Sequence, residues 1–277
     1  GKCKNIDFQK FLFLFNEMSS KKYFYFVPYK YGCFSFQSYS DKRALANYNI
    51  LDNSDFWHIK DQTDYISQLS DEDRTTLYNF KNKYFHLNGS KLINYVYKNY
   101  PYYAINSEIL NLHLSIDDIE KINENKNMDD SIILFTIGYE GKSIDEYLNL
   151  LIKNNIKILC DVRKNALSMK YGFSKNQLKD SLHKIGINYI HIPELGVDSA
   201  KRKSITNNLN YKILFQEYQK EIISSKLSIL ESLNNIFHLN RRIALTCFES
   251  DHNRCHRHIL ANEVLKLNHY NYKLYNI

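Results

Sequence analysis

The sequence predicts an α/β fold: a Rossmann-like, mostly parallel sheet with helices on both faces, preceded by a mainly helical N-terminal domain. Three observations carry this. From residue 131 on, short apolar runs alternate with amphipathic stretches, as in a parallel sheet covered on both sides. Before residue 125, apolar and aromatic residues recur at helical spacing instead. Between the two, residues 117–131 are polar and charged, with too few apolar side chains to pack. The boundary falls there, and the expected domains are 1–125 and 131–277.

In the first domain, Phe8, Phe11, Leu12 and Phe15 stand at i, i+3, i+4 and i+7, one face of a helix. This aromatic stripe reads as core. The turn Phe26-Val-Pro-Tyr-Lys-Tyr-Gly32 is punctuated by Pro and Gly, and a helix through Tyr48 follows. Phe56-Trp-His-Ile59 reads as a short strand or as the wing of a winged-helix unit. Ser70 with Asp73 three residues on is an N-cap signature for a helix to Tyr84. Asn88-Gly89 breaks it, and Ser90 opens a further helix that Pro101 ends. Lys21, Lys22, Lys30, Lys42 and Arg43 form the local basic patch by which this domain would grip DNA. The competing expectation is a protein-interaction or dimerisation module, which places a homodimer among the expected partners.

The second domain opens with a strand over Ile132–Tyr139 and a helix capped by Ser143, with Asp145 and Glu146 in its first turn. Strand Ile156–Val162 leads through a loop to a helix with Ser174 as cap, Gln177 at N3 and an end at Gly186. After strand Asn188–Ile192 come a polar loop, Glu194–Asn208, and two helices, Asn210–Ser224 and Lys226–Phe237. Strand Ile243–Cys247, a loop rich in reactive groups, a helix to Leu267 and a last strand near Tyr272–Tyr275 complete it. Ligands of such sheets bind outside the carboxyl ends of the strands. That rule groups three loops: Thr136–Gly141, Asp161–Phe173 and Cys247–Arg257.

The length, 277 residues, is ample for a proper core. No apolar run is long enough to span a bilayer, so no membrane partner is expected, and no signal peptide is read at the N-terminus. Five cysteines, an odd number, argue for reduced thiols and a cytoplasmic location rather than a disulfide framework. The charge is uneven. Residues 131–277 hold 21 Lys and Arg against 13 Asp and Glu, a net of +8, whereas 1–130 hold 16 against 17, a net of −1. A basic second domain points to a polyanionic partner.

The grouped loops carry the chemistry. In Thr136-Ile-Gly-Tyr-Glu-Gly141, two glycines open a helix, so backbone N–H groups could face a phosphate. The spacing is not that of a dinucleotide fingerprint. Asp161 and Arg163, at i and i+2 on a strand, point the same way, as a structural salt bridge or as functional groups. Lys170, Tyr171 and Ser174 add charge and an aromatic platform for phosphate contact and base stacking. The third loop admits three readings. Cys247, Cys255 and His256 (or His258) would ligate zinc, but adjacent Cys and His rarely reach one ion and no CxxC partner exists. A phosphatase-like thiolate at Cys247 with Arg254 has an interval one residue too long, and Glu249 and Asp251 would repel phosphate. The preferred reading is a polar catalytic cluster: Glu249 or Asp161 as acid/base, His256 and Arg257 binding an anion at a helix N-terminus, Cys247 and Cys255 packing.

Thr136-Ile-Gly-Tyr-Glu-Gly141, Asp161-Val-Arg163, Lys170-Tyr-Gly-Phe-Ser174, Gly186-Ile-x-Tyr-x-His191, Glu194-Leu-Gly196 and Cys247-x-Glu-x5-Cys255-His-Arg257 occur in that order. Together, over Ile132–Asn268, they resemble the bacterial and archaeal family called domain of unknown function 488. The family pattern has Pro near Asn165-Ala166 and a second Gly near Val197, where this chain departs from it. The resemblance implies an intracellular α/β domain with Cys247, Glu249, Cys255, His256 and Arg257 at its functional centre, and it brings no reaction. Members with an N-terminal helical extension look like accessory proteins of mobile or defence-related gene sets, which points toward nucleic acid.

The resulting expectation is an enzyme acting on a nucleic acid, nucleotide or modified base by hydrolysis of an N-glycosidic or phosphoester bond. Glu249, Asp161 and His256 would be catalytic; Arg163, Arg257, Tyr139, Lys170, Tyr171 and Ser174 would hold substrate or phosphate; no metal or cofactor is expected. The competing expectation is a non-catalytic DNA- or protein-binding regulator whose motif cluster is a structural polar network.

Overall fold

The computed structural model describes residues 2–52, 54–198, 208–268 and 271–277, with the backbone alone for 208–212. The chain divides into two compact units, Gly1–Lys126 and Asn127–Ile277.

The first unit is mainly helical. Its helices are α1 (Asn5–Met18), α2 (Phe36–Asn47), α3 (Asp71–Tyr84), α4 (Gly89–Asn99), α5 (Leu110–His113) and α6 (Ile116–Asn123). The Pro/Gly turn forms a hairpin of β2 (Val27–Tyr29) and β3 (Gly32–Phe34), and β1 (Cys3–Lys4) pairs antiparallel with β4 (Phe56–Trp57). Ser70 caps α3 as its spacing predicts, accepting from the Asp73 amide at 3.1 Å. The stripe on α1 is only half the packing. Phe8 stacks on Trp57 and Phe11 and Phe15 meet Phe80 edge-on, while the most buried residues are Gln9, Lys10, Phe13, Leu14 and Asn16. The helix is covered on both sides, so its polar residues must find partners: Lys10 Nζ donates to the Tyr31 carbonyl at 2.5 Å and Gln9 donates to Ser38 Oγ at 2.9 Å.

Two expectations change here. The stretch after Asp117 is polar, yet α6 forms within it, capped by Ser115 and burying Ile122; one apolar side chain in a short capped helix suffices. The basic patch is partly engaged: Lys21 and Arg43 are exposed, and the other three have partners. Lys42 is buried against Asn5 Oδ1 and the Ser54 carbonyl, Lys22 pairs with Glu17 and Lys30 with Glu108.

The second unit is a five-stranded, all-parallel sheet flanked by helices. Its strands are β5 (Ile133–Gly138), β6 (Ile158–Asp161), β7 (Asn188–His191), β8 (Arg242–Cys247) and β9 (Lys273–Asn276), in the order β7-β6-β8-β5-β9. The inner strands β5, β6 and β8 are buried throughout, as continuous apolar runs require. Helices α7 (Ile144–Lys153), α8 (Lys175–Lys184), α9 (Asn208–Ser225), α10 (Leu227–Asn240) and α11 (His256–Lys266) connect and cover them. Leu134, Ile158, Cys160, Ile243 and Leu245 form one core with residues of α9, α10 and α11. On the other face the Tyr147 hydroxyl of α7 donates to Thr246 Oγ1 at 2.7 Å. Most of the polar loop expected at Glu194–Asn208 lies outside the described residues. Among the described residues no helix is long and apolar enough to cross a membrane.

Candidate functional site

The register aligns the carboxyl ends of four strands: Gly138 stands beside Cys247, and Asp161 lies between Thr246 and His191. The three expected loops therefore do meet. Gly138 shows how closely: a Cβ there would fall on the Glu249 main chain. This glycine admits the third loop, which is a packing requirement and not a phosphate cradle. Two further contacts dock that loop. The Glu140 amide donates to the Phe248 carbonyl at 2.9 Å, and the Glu140 carboxylate accepts from the Ser250 amide and hydroxyl at 2.9 and 3.0 Å. Those bonds hold the Glu140 carboxyl below the usual range.

The motif residues fall into two clusters on opposite faces of the sheet, because successive strand residues alternate. The first cluster is built on Asp161, which is fully buried. Its carboxylate accepts from Arg163 Nε (2.8 Å), Arg163 Nη2 (2.5 Å), the Arg163 amide (3.1 Å) and the Tyr189 hydroxyl (2.7 Å). Arg163 Nη1 donates to the Tyr139 hydroxyl and the Phe173 carbonyl, each at 2.9 Å, and the guanidinium lies 5.0 Å from the Tyr139 ring, itself stacked on Phe173. His191 Nε2 meets the Arg163 carbonyl at 2.9 Å. Burial opposes the Arg163 charge, but the Asp161 carboxylate outweighs it and raises the guanidinium further. Burial and the same carboxylate raise the Tyr189 hydroxyl. An acid/base catalyst must reach a substrate proton; Asp161, sealed and saturated, is a group that holds Arg163 in place.

The second cluster lies on the α11 face. Cys247, Cys255 and His256 are each about 1% exposed, and Cys247 Sγ, Cys255 Sγ and a His256 ring nitrogen all lie within 4.8 Å of one another. The nearest approaches are 3.7 Å from His256 Nδ1 to Cys247 Sγ and 3.8 Å to Cys255 Sγ. The sequence argument against convergence fails at this point. Cys255 has extended backbone and His256 begins the helix, and that change of direction turns adjacent side chains toward one point. Burial, with the Cys247 thiol and the Glu249 charge beside it, pushes the Cys255 thiol up, which disfavours a free thiolate nucleophile there.

Arg257, also 1% exposed, donates from Nη1 to the Glu249 carbonyl (2.5 Å) and from Nη2 to the Ser250 carbonyl (3.2 Å). Among the described residues no ion pair joins it to a carboxylate. It anchors the loop from inside and is not presented to an external phosphate. His256 is likewise withdrawn from anion binding, with Nε2 3.0 Å from the Val162 carbonyl.

The other expected ligand-binding residues divide. Lys170 Nζ donates to the Tyr139 carbonyl at 3.1 Å, and Tyr171 is half-buried. Ser174 stands at the start of α8 without capping it. Its hydroxyl donates to the Ser168 carbonyl and accepts from the Ser168 amide, closing the loop on itself. Glu249 is half-buried, with Oε2 inside. Sequence reasoning assigned no role to Glu140, Tyr189 or His191. The last two were visible in the motif Gly186-Ile-x-Tyr-x-His191, whose i, i+2 spacing aims both at Asp161-Arg163.

A cleft of about 320 Å³ lies over the strand ends, lined by Tyr139 and Arg163 of the first cluster, Cys247 of the second, Phe248, Val197, and Lys164, Asn165, Leu167, Ser168 and Met169 of the second loop. Around it Leu167, Met169 and Phe248 are exposed, at 76%, 105% and 44%.

Residues 143–264 match the family model described as Domain of unknown function DUF488. No curated protein and no solved structure matches the chain.

Proposed function

From the match of residues 143–264 to the DUF488 family model, we propose that the chain is a hydrolase directed at a nucleotide or nucleic acid, bound in the cleft over β5, β6 and β8. The cleft's composition carries the reading. Arg163 and Tyr139, tied to Asp161 and to each other, form a polar and aromatic floor, Lys164 is the exposed cation, and Leu167, Met169 and Phe248 give apolar surface at the mouth. A volume of about 320 Å³ is at the small end for a ligand site and suits one nucleoside-sized group. The net charge of +8 over residues 131–277 supports a polyanion. Glu249, next to Phe248 of the cleft wall and half-buried, is the acid/base candidate; water is the co-substrate, and an N-glycosidic bond is the first to test. Asp161, His256 and Arg257 act in this reading as positioning residues.

The test is turnover of a panel of nucleotides and oligonucleotides. Glu249→Gln should lower turnover by roughly 10²–10⁴-fold with an unchanged melting temperature; full turnover in that variant sinks the role. The burial of Asp161 and Arg163 in their mutual bonds, and of Arg257 against main-chain carbonyls, favours one second reading, a binding regulator held together by this network. In that case no substrate turns over, Glu249→Gln lowers the melting temperature, and oligonucleotide affinity falls steeply with salt.

A further inference from the structure

We propose that Cys247, Cys255 and His256 form a metal site for a single zinc ion, at the wall of the cleft. The inference is independent of the hydrolase reading. Three observations carry it. The first is distance. Zinc–sulfur and zinc–nitrogen bonds of about 2.3 and 2.0–2.1 Å at a tetrahedral angle place sulfur and nitrogen about 3.6 Å apart. His256 Nδ1 lies 3.7 Å from one sulfur and 3.8 Å from the other, and all three atoms lie within 4.8 Å of one another, so both sulfur–nitrogen edges already match those of a tetrahedral site.

The second is the tautomer. The Val162 carbonyl can only accept, so His256 Nε2, 3.0 Å away, carries the proton. In the neutral ring Nδ1 is then the lone pair, and it is Nδ1 that faces the sulfurs. A metal-bound imidazole is fixed in this way, with the distal N–H on a backbone carbonyl. The Val162 carbonyl belongs to the β6 segment, so ligand orientation is set by the sheet.

The third is donor chemistry and place. Two thiolates and an imidazole select a borderline or soft ion, with zinc the ordinary choice. Three protein ligands leave one position of the tetrahedron for water or a group entering from outside. Cys247, though buried, is also among the residues that line the cleft with Arg163 and Phe248.

The full-length chain, purified without added chelator, should carry about one zinc per chain by elemental mass spectrometry. Cys247→Ser, Cys255→Ser and His256→Gln should each remove it, and Cys3→Ser, outside the cluster, should not. These ligand variants lie in a buried core and could lose metal by unfolding, so the intact chain provides the deciding measurement. Stripped of metal and titrated with cobalt(II), it should develop tetrahedral ligand-field bands together with a thiolate-to-cobalt charge-transfer band, saturating at one equivalent. A wild-type chain with no zinc and no thiolate–cobalt band overturns the proposal. So does retention of full stoichiometry in Cys255→Ser, or isolation of the reduced-purified chain with a Cys247–Cys255 disulfide. None of these readouts uses a substrate, so failure of the metal site and failure of the hydrolase reading are separable.

Discussion

Asp161→Asn is the substitution that best separates a holding role from a reacting one. The carboxylate receives three donors from Arg163 and one from Tyr189, all in a fully buried setting. Asparagine keeps one acceptor oxygen but turns an N–H₂ toward donors, and among the described residues it removes the one carboxylate paired with a guanidinium 5% exposed. Removing one partner of a buried pair costs about 3–5 kcal/mol; with one acceptor retained, about 3 kcal/mol is expected. In a unit of about 150 residues each kcal/mol shifts the melting temperature by roughly 2–4 °C, so the loss should be roughly 6–12 °C. Trp57, the single tryptophan, lies in the first unit. Calorimetry that resolves the two units, with amide exchange along β6, is the appropriate assay. The pair substitution Asp161→Leu with Arg163→Met should cost less than the single change, since no charge is left buried. A change below about 1 kcal/mol in Asp161→Asn would refute the reasoning, because it would mean that the carboxylate is solvated and replaceable.

The loop that carries Glu249 offers two further tests. Gly138→Ala should cost roughly 1–3 kcal/mol or more and displace residues 248–251, since the added Cβ meets backbone rather than a yielding side chain; a wild-type melting curve would contradict that close approach. The Glu140 carboxyl is held down by its bonds to Ser250, so its contribution is complete above the ordinary value of 4.5 and is lost only as pH falls through the depressed folded value. Protection of the Ser250 amide should persist at pH 4.5 and vanish on further acidification, and Glu140→Gln should weaken it at every pH.

Much of this was legible in the sequence. The alternation of apolar runs and helices fixed the strands of the second unit to within a residue or two, and Ser70 and Ser143 cap helices through side chains whose spacing shows it. The strand-end rule brings the three loops together from the sequence alone. Other features depend on direction rather than spacing. Which face Cys247 occupies follows from its alternation with Thr246 along β8, and it sends the thiols away from Asp161. That adjacent Cys255 and His256 converge follows from a backbone change between them, which sequence separation does not encode. Ser174 sits where a cap belongs yet bonds Ser168, because a loop six residues back competes for its hydroxyl. On α1, helical spacing identified one apolar face but not that the opposite face would also be covered.

The division of labour within the motif has a consequence for specificity. Asp161, Arg163, Tyr139, Arg257 and Gly138 are spent on one another and on main-chain groups, which fixes where the loops lie. Groups free to vary without disturbing that frame are those exposed at the cleft mouth: Lys164, Asn165, Leu167, Met169 and Phe248. Burial makes the first set intolerant of change, since each member lost leaves a charge or a donor unmatched in the interior. Exposure makes the second set cheap to replace, within about 0.5 kcal/mol of stability. A site that recognises different ligands on one frame would therefore change at Leu167, Met169 and Phe248 first. Substituting Leu167 and Met169 together by serine should leave the melting temperature of the second unit unchanged while weakening retention of any base-bearing ligand, measured by equilibrium dialysis. Equal loss of both would place these side chains in the frame and collapse the distinction between the two sets.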